Sequence, residues 1–185
     1  MEASPKLRRA ARIIRGGGVI AYPTEAVFGL GCDPACDAAL ARILAIKGRP
    51  ADAGFILIAA GLVQLRGWIA PTPAEQRRLA ARTARPVTWV VTAGPRATPV
   101  LTGGRATVAV RVTAHPVAAA LCRAAAMPLV STSANIHGRP QARTALAVRR
   151  RLGARLDLVM PGAVGGQQRP TEIRDARTGA VLRRG

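Results

Sequence analysis

A run of hydroxyl and amide side chains follows a short apolar segment near residue 130. Ser131-Thr-Ser-Ala-Asn135 comes directly after Met127-Pro-Leu-Val130, which reads as a short buried strand. In open α/β sheets, ligands bind in the crevice beyond the carboxyl ends of the strands. Hydroxyl and amide groups at that place offer hydrogen-bond donors and acceptors without net charge. The segment therefore predicts the wall of a binding site, although a turn or a helix cap explains the same residue types equally well.

Three basic residues stand where they could bind an anion. Lys47 and Arg49 lie between a predicted helix and a predicted strand, and two such cations can neutralise a polyphosphate. The alternative is that Lys47 complements the helix dipole and Arg49 is solvated. Arg111 shares one face of a predicted strand with Thr107 and Ala109, because side chains alternate along a strand. A charge on so apolar a strand predicts an acidic partner or an anionic ligand.

Several common catalytic arrangements are absent from the sequence. No phosphate-binding loop ending in Gly-Lys-Ser/Thr occurs, and Pro34 stands where Gly29-Leu-Gly31 would need a third glycine. The two histidines each lie beside a proline or a glycine, which disfavours a Ser-His-Asp triad. Acidic residues are few and scattered, so no catalytic carboxylate pair is evident. The chemistry is therefore expected to depend on positioning and charge neutralisation, with a metal supplied alongside a nucleotide.

The elements that position these residues follow from hydrophobic periodicity and from capping signals. Ser4 and Pro5 begin a helix that Gly16-Gly-Gly18 ends, and Asp37 is expected to cap a second helix that reaches Lys47. Further helices are predicted near residues 62–68, 73–83, 115–126 and 146–152. Strands are predicted at residues 19–22, 55–58, 87–92, 107–112, 127–130 and 156–160, with a terminal hairpin turning at Thr178-Gly179. Alternating helices and strands predict one α/β domain over residues 1–185, with an open mixed sheet flanked by helices.

Composition limits the classes of partner. The 185 residues carry a formal net charge of +19, and all basic residues except Lys6 and Lys47 are arginines, which suit phosphate and RNA. A base composition rich in G and C would also produce an Ala- and Arg-rich chain, and the basic residues are scattered. No apolar run is long enough to span a membrane, and no signal peptide is apparent, so a cytoplasmic location is expected. Three cysteines without a secretory signal predict free thiols.

Five segments together resemble one enzyme family. In order, they are Ala21-Tyr-Pro-Thr-Glu-Ala-Val-Phe-Gly-Leu-Gly31, Lys47-Gly-Arg-Pro50, Val108-Ala-Val-Arg111, Ser131-Thr-Ser-Ala-Asn135 and Pro170-Thr-Glu-Ile173. They resemble the threonylcarbamoyl-AMP synthases of the YrdC/TsaC type, in the short form without an extra C-terminal domain. The resemblance implies a large basic cavity in a YrdC-like α/β fold. It also implies a nucleotidyltransferase that makes threonylcarbamoyl-AMP and pyrophosphate from ATP, L-threonine and bicarbonate. The product would serve threonylcarbamoylation of the tRNA adenosine beside the anticodon, which other proteins complete.

The resemblance also assigns roles to single residues. Charge neutralisation would come from Lys47 and Arg49, with Mg2+ bound through ATP and not through protein ligands. The implied ATP-binding residues are Lys47, Arg49, Thr107, Ser133, Asn135, Arg143 and Arg183. The implied threonine-binding residues are Thr24, Arg111, Ser133 and Thr171, with Arg111 on the carboxylate. Ser133 and Asn135 are expected to divide between the two ligands, and no general base is assigned.

Three positions depart from the family pattern. Ile58 stands at the end of a stretch where relatives often have a histidine that contacts threonine. Arg85 replaces a glycine in a turn, and Glu172 replaces a serine or threonine. These departures predict an unusual affinity for threonine in an active enzyme. The competing hypothesis is a non-catalytic RNA-binding or ribosome-maturation protein, which the charge would explain; tRNA or duplex RNA remains a predicted partner in either case.

Overall fold

One mixed sheet forms the centre of the protein. The computed structural model describes residues 4–81, 83 and 86–185, and within these residues nine strands pair in the order β7-β1-β2-β6-β3-β5-β4-β8-β9. The strands are β1 (Ile20–Pro23), β2 (Phe28–Gly31), β3 (Ile56–Ala59), β4 (Val87–Thr92), β5 (Thr107–Val112), β6 (Leu129–Ser133), β7 (Leu158–Val159), β8 (Glu172–Asp175) and β9 (Val181–Arg183). The helices are α1 (Pro5–Arg15), α2 (Asp37–Lys47), α3 (Pro73–Ala80), α4 (Pro99–Thr102), α5 (Pro116–Ala125) and α6 (Ala145–Leu152). The predicted α/β class with an open mixed sheet is confirmed.

The sheet is more antiparallel than alternation of helices and strands predicts. Parallel pairing joins β1 to β7, β3 to β5 and β4 to β8, while β6 runs antiparallel to both of its neighbours, β2 and β3. β2 was not predicted, because a four-residue strand with two glycines has a weak strand signal. As a result, the rule that ligands lie beyond the carboxyl ends of parallel strands does not locate the site here. The site lies on a face of the sheet.

One face of the sheet packs against helices along its central strands. Phe28, Leu57, Val110 and Val130 project from this face into the larger core cluster. Helices α2, α4 and α6 pack against them through buried residues that include Leu40, Ile43, Leu101, Val148 and Leu152. Burial of these aliphatic side chains, each worth about 1.5–3 kcal/mol, anchors the helices to the sheet.

The opposite face is covered only in part. Ile20, Tyr22, Ile58 and Leu129 project from it and pack against α1 and α5. The apolar stripe of α1 and the Ser4 cap are as predicted, since the Ser4 hydroxyl accepts a hydrogen bond from the backbone of Leu7. The rest of this face carries smaller side chains, and it is there that a cavity opens.

Three predicted details of the helices are wrong. Cys36, and not Asp37, occupies the N-cap position of α2; Asp37 is its first helical residue and makes no capping bond there. Residues 62–68 contain only a 3-10 turn at Leu62–Leu65, which is too short for an α-helix. The helix predicted over residues 73–83 is shorter, because α3 ends at Ala80.

Strand β6 extends further towards its C-terminal end than predicted. Apolar residues suggest an end at Val130, but β6 continues through Ser133, where it pairs with Gly29 of β2. Ser131 and Ser133 therefore point to one face of the sheet by strand alternation. The pentapeptide is a strand followed by a loop, so its first hydroxyls belong to the sheet and not to a helix cap.

Within the described residues, no helix is long and apolar enough to cross a membrane.

All three cysteines are free thiols, as expected, with Cys32 and Cys122 buried. Burial raises the pKa of Cys122 to about 12, so this thiol stays protonated and unreactive at neutral pH.

Candidate active site

A cavity of about 580 Å³ lies over the uncovered part of the sheet. Its floor is made of side chains that project from one face of the sheet. In the strand register, Ile56 pairs with both Ala109 and Ser131, and Ala109 pairs with Val90. Small residues at 29, 109, 131 and 133 leave this space above the sheet. A cavity of this volume is in the range that binds small molecules and cofactors.

The charges that line the cavity are mostly positive. Among the described residues, its lining contains one carboxylate, Glu25, and five basic side chains: Lys47, Arg49, Arg105, Arg111 and Arg183. These charges come from different parts of the chain, so the fold concentrates scattered basic residues at one place. Such a concentration of positive potential favours anionic ligands.

Lys47 is the last residue of α2, and its side chain is buried. Its Nζ donates hydrogen bonds to the carbonyl oxygens of Ser133 (2.5 Å) and Asn135 (3.0 Å) and to Oδ1 of Asn135 (3.2 Å). Burial and the nearby Arg49 lower the pKa of Lys47 to about 8, while the three oxygen acceptors favour its charged form. Lys47 thus joins the end of α2 to the loop after β6, and it is more than a complement to the helix dipole.

Arg49 also lies in the cavity and is only partly exposed. It donates to Oγ1 of Thr132 at 3.3 Å and to the carbonyl oxygen of Ala53 at 3.4 Å. Burial and the guanidinium of Arg105 lower the pKa of Arg49. The alternative that Arg49 is merely solvated is therefore wrong.

The neutral wall is formed by the segment that first suggested a binding site. Ser133 and Asn135 both line the cavity, and the Ser133 hydroxyl donates to Oδ1 of Asn135 at 2.7 Å. The Asn135 amide nitrogen donates to the carbonyl oxygens of Ile136 and Arg139, which fixes the loop after β6. Thr107 lines the cavity from β5, on the same face as Ala109 and Arg111 as predicted.

The other end of the cavity is organised around Arg111, which is 7% exposed. Its Nη2 lies 3.3 Å from Oε2 of Glu25, and its Nη1 donates to the hydroxyl of Thr88 at 3.3 Å. Its Nε is buried and has no hydrogen-bond partner among the described residues. A buried N–H without a partner is costly, and this donor is enclosed by protein atoms.

Glu25 is buried and fully engaged by protein donors. Besides Arg111, it accepts hydrogen bonds from the Thr113 hydroxyl at 2.6 Å and from the backbone N–H of Ala114 at 3.2 Å. Burial raises its pKa, but Arg111 and these hydrogen bonds outweigh burial and hold the pKa below the ordinary value. Glu25 is therefore ionised at neutral pH, and it supplies the acidic partner that Arg111 was predicted to need.

Three further predicted residues lie near Arg111. Thr24 and Thr171 are buried and line the cavity, and Arg183 lines it from β9. Arg183 donates to the carbonyl oxygen of Thr171 at 3.0 Å, which fixes the segment before β8. Burial and the positive charge of Arg111 lower the pKa of Arg183. The fold therefore brings together Thr24, Arg111, Thr171 and Arg183.

Arg143 is the one predicted site residue that the cavity lining does not include. Its guanidinium donates to the carbonyl oxygens of Gln167 and Gln168, at 3.2 and 3.3 Å. That loop in turn donates from Gly165 to the carbonyl oxygen of Thr24 and from Gln167 to that of Glu25. Arg143 thus supports the wall of the cavity from outside.

The departures from the family pattern have different surroundings. Ile58 is fully buried in the core under α1 and α5 and does not line the cavity. Glu172 forms an ion pair with Arg174 and also lies outside the cavity lining. Arg85 lies outside the described residues, so the turn that contains it is not placed.

Two site residues were not predicted from the sequence. Glu25 occurs only within the Ala21–Gly31 segment of the family resemblance, although it is the sole acid between residues 3 and 32 and could have been paired with Arg111 by charge. Arg105 follows two glycines and matches no motif. Only the pairing of distant segments brings it to the cavity.

The geometry can be compared with known proteins. A family model named Sua5/YciO/YrdC, with the description "Telomere recombination", matches residues 12–185. Threonylcarbamoyl-AMP synthase of Nitrosococcus oceani is 57% identical over 179 residues, which are 96% of this chain and 97% of that protein.

Two solved structures have the same fold. P. abyssi Sua5 in complex with L-threonine is 35% identical, with a TM-score of 0.85, over 91% of this chain and 50% of that one. This chain thus spans half the length of the Sua5 chain. E. coli YciO is 29% identical, with a TM-score of 0.83, over 96% of this chain and 87% of that one. The family model covers nearly every residue that builds the cavity, and the chain belongs to the Sua5/YciO/YrdC family.

Proposed function

We propose that this protein makes threonylcarbamoyl-AMP and pyrophosphate from ATP, L-threonine and bicarbonate. It would transfer an adenylyl group and so act as a nucleotidyltransferase. The observation that carries the proposal is the chemical difference between the two ends of one cavity. Arg111, which is held by Glu25 and Thr88, marks one end, and Lys47 with Arg49 and Arg105 marks the other.

The end around Arg111 suits an amino acid. A guanidinium that is held in place by Glu25 and Thr88 and lines the cavity can bind a carboxylate. Thr24 and Thr171 lie in the same part of the lining and offer hydroxyl groups. P. abyssi Sua5, a member of the same family, has been solved in complex with L-threonine. These features support threonine as the ligand of Arg111.

The end around Lys47 suits the phosphates of a nucleotide. Lys47, Arg49 and Arg105 have no carboxylate partner among the described residues. Polyphosphate would supply the missing negative charge. Ser133 and Asn135 lie beside Lys47, which donates to both, and Thr107 lines the cavity from β5. The hydroxyl groups of Ser133 and Thr107 would offer neutral hydrogen-bonding groups to the nucleoside.

Mg2+ would enter with ATP. The described residues contain no group of three or more side chains suited to a metal, and the single carboxylate of the cavity is already bound by Arg111, Thr113 and Ala114. The residues of the cavity therefore suit a metal that is bound through the phosphate oxygens of ATP and not through protein ligands. Mg2+ would supply additional neutralisation of phosphate charge.

The reaction follows from this placement. The neutral amine of threonine attacks the carbon of bicarbonate, and loss of water gives a carbamate. A carbamate oxygen then attacks the α-phosphorus of ATP, and the bond to the β-phosphate oxygen breaks with its electron pair on pyrophosphate. Holding both substrates in one cavity supplies proximity, and the basic residues stabilise the charge that develops on the leaving group.

We also propose that the product serves threonylcarbamoyl transfer to tRNA by other proteins, in the cytoplasm. The alternative of a non-catalytic RNA-binding protein receives less support. Curated relatives with more than 50% identity are named threonylcarbamoyl-AMP synthases. In addition, a protein that only binds RNA does not need a site around Arg111 that suits the carboxylate of an amino acid. Direct contact with RNA stays a separate prediction.

The experiment is an assay of pyrophosphate release and of the AMP-linked product by mass spectrometry. We expect release that requires ATP, threonine and bicarbonate together. Arg49→Ala should reduce kcat/KM for ATP by about tenfold or more, because one charge-assisted contact to phosphate is lost. Arg150→Ala, on the exposed face of α6, is the control and should leave the rate unchanged. Release that does not depend on threonine, or full activity of Arg49→Ala, would contradict the proposal.

A further inference from the structure

Arg105 is a basic residue at the mouth of the cavity to which neither the family resemblance nor the motifs assign a role. It is exposed, it lines the cavity, and it lies in the connection between α4 and β5. Its Nη1 donates to the carbonyl oxygen of Asp52 at 2.8 Å, and its Nη2 to that of Ala53 at 3.2 Å. Its guanidinium is therefore held in a fixed place by the segment that follows Arg49.

Arg49 and Arg105 converge on a single oxygen atom. The carbonyl oxygen of Ala53 accepts hydrogen bonds from Nη2 of Arg49 at 3.4 Å and from Nη2 of Arg105 at 3.2 Å. Two like charges held so close repel each other, and Arg105 contributes to the lowered pKa of Arg49. No carboxylate among the described residues pairs with either of them. An anion with more than one charge would relieve this repulsion.

The local backbone is shaped for this arrangement. Gly54 has φ of 59°, a conformation that favours glycine. A Cβ atom on Gly54 would overlap Nη2 of Arg105 and lie 2.9 Å from the carbonyl oxygen of Thr102. A Cβ atom on Gly103 would also come within 2.9 Å of Nη2 of Arg105. Two glycines therefore allow the guanidinium to lie against the chain beside Arg49.

Each guanidinium still has donors to offer. Arginine carries five N–H groups in a planar fork, and Arg49 and Arg105 each use two side-chain nitrogens in described hydrogen bonds. The remaining N–H groups match phosphate oxygens in geometry and charge.

We propose that Arg105 and Arg49 together form the subsite that holds the β- and γ-phosphates of ATP and then the leaving pyrophosphate. The assignment of ATP rests on the proposed function, whereas binding of pyrophosphate itself can be measured without catalysis. The subsite lies at the end of the cavity opposite the Glu25–Arg111 pair. With threonine at Arg111, the α-phosphate would then lie between the nucleophile and the leaving group.

The test is isothermal titration calorimetry with inorganic pyrophosphate and no other substrate. Arg105→Gln should weaken binding by about tenfold or more, because a charge-assisted contact is lost. Arg105→Lys, which keeps the charge, should retain most of the affinity. Arg78→Gln is a matched control, since Arg78 also donates to two backbone carbonyl oxygens, of Ala176 and Arg177, but lies outside the cavity.

The outcomes separate the subsite from the proposed reaction. Unchanged affinity of Arg105→Gln for pyrophosphate overturns the inference, as does an equal loss in Arg78→Gln, which would indicate only the effect of net charge. An equal loss in Arg105→Lys and Arg105→Gln also overturns it, because the backbone contacts and not the charge would then matter. If the wild-type protein binds pyrophosphate through Arg105 but makes no threonylcarbamoyl-AMP, the subsite stands and the proposed function fails.

Discussion

At the scale of single residues, Glu25 and Arg111 form a buried ion pair next to the proposed substrate. Both side chains are less than 10% exposed, so removal of either partner leaves an uncompensated charge inside the protein. Glu25 also accepts hydrogen bonds from the Thr113 hydroxyl and from the backbone N–H of Ala114. These bonds connect the ion pair to the segment just before α5. Glu25 is thus a positioning residue that fixes the guanidinium on which threonine would depend.

Replacement of this carboxylate provides the first prediction. Glu25→Gln should raise the KM for threonine by about tenfold while the KM for ATP stays near the wild-type value, because Arg111 loses its anchor and a charge-assisted bond. Steady-state kinetics with each substrate varied in turn would measure the split. Glu172→Gln is the control, since Glu172 pairs with Arg174 outside the cavity lining. Equal changes in both KM values would contradict a specific role at the threonine end.

The same variant should change the dependence of stability on pH. The pKa of Glu25 is lower in the folded protein than its ordinary value of 4.5. Its contribution to stability is therefore complete above about pH 4.5 and is lost as the pH falls through the folded pKa. Urea unfolding between pH 3 and 7 should show a steeper loss of stability on acidification in the wild type than in Glu25→Gln. Parallel curves would contradict the prediction.

Lys47 gives a prediction on nucleotide binding. Burial and Arg49 lower its pKa to about 8, so its positive charge is lost as the pH rises above this value. Affinity for a non-hydrolysable ATP analogue should therefore fall between pH 7.5 and 9.5. Calorimetry without threonine is the suitable measurement, because the amine of threonine titrates in the same range. A pH-independent affinity would mean that bound phosphate or the three oxygen acceptors keep Lys47 protonated throughout.

At the scale of elements, the loop before β8 supports one side of the cavity, whose lining includes its last residues, Pro170 and Thr171. Hydrogen bonds join it to Thr24 and Glu25, His115 contacts the carbonyl oxygen of Ala163, and Arg143 binds the carbonyl oxygens of Gln167 and Gln168. The loop has no regular secondary structure of its own from residue 160 to residue 171. Its position therefore depends on these contacts, and Arg143 supplies two of them.

For Arg143, the family resemblance and the observed contacts predict different effects of a substitution on the two KM values. If Arg143 acts through the loop, Arg143→Gln should raise the KM for threonine several-fold, because Thr24 and Glu25 lose the support of Gly165 and Gln167. If Arg143 contacts ATP directly, the KM for ATP should change instead. The contacts described above favour the first outcome. Arg151→Gln is a matched control, since Arg151 also donates to a backbone carbonyl oxygen, that of Pro140, outside the cavity.

At the scale of the whole molecule, the protein carries a formal net charge of +19. Helix α6 alone carries Arg149, Arg150 and Arg151 in its last turn. A surface of this charge attracts polyanions over a distance set by the ionic strength. We therefore expect two separable effects of this charge: attraction of ATP towards the cavity and contact of the surface with RNA.

We predict that duplex RNA binds to the surface with an affinity that falls steeply with salt. Binding through phosphates releases counterions, so the logarithm of the binding constant should decrease linearly with the logarithm of the salt concentration. Fluorescence anisotropy of a labelled duplex between 50 and 300 mM KCl would give the slope. Arg150→Ala should reduce the slope by roughly 1 if that residue contacts a phosphate. A slope near zero would exclude phosphate contacts as the basis of binding.

Much of the fold could be predicted from the sequence because its signals are local. The Ser4 cap, the apolar stripe of α1 and the alternation along β5 each depend on residues a few positions apart, and the structure agrees with them. β2 and the extension of β6 to Ser133 could not be predicted in this way. Both depend on pairing with each other across the sheet, which is a non-local interaction.

The sequence by itself determined the kind of chemistry: cations, hydroxyl groups and no catalytic carboxylate pair, in an order that resembles one enzyme family. Only the tertiary structure decided which of these groups meet. Glu25 reaches Arg111 across 86 positions of the chain, Arg105 reaches the segment after Arg49 across 53, and Arg143 turns to the loop outside the cavity. The physical reason is that residue types and spacing define what a side chain can do, whereas strand register and loop closure define its distance from its partners.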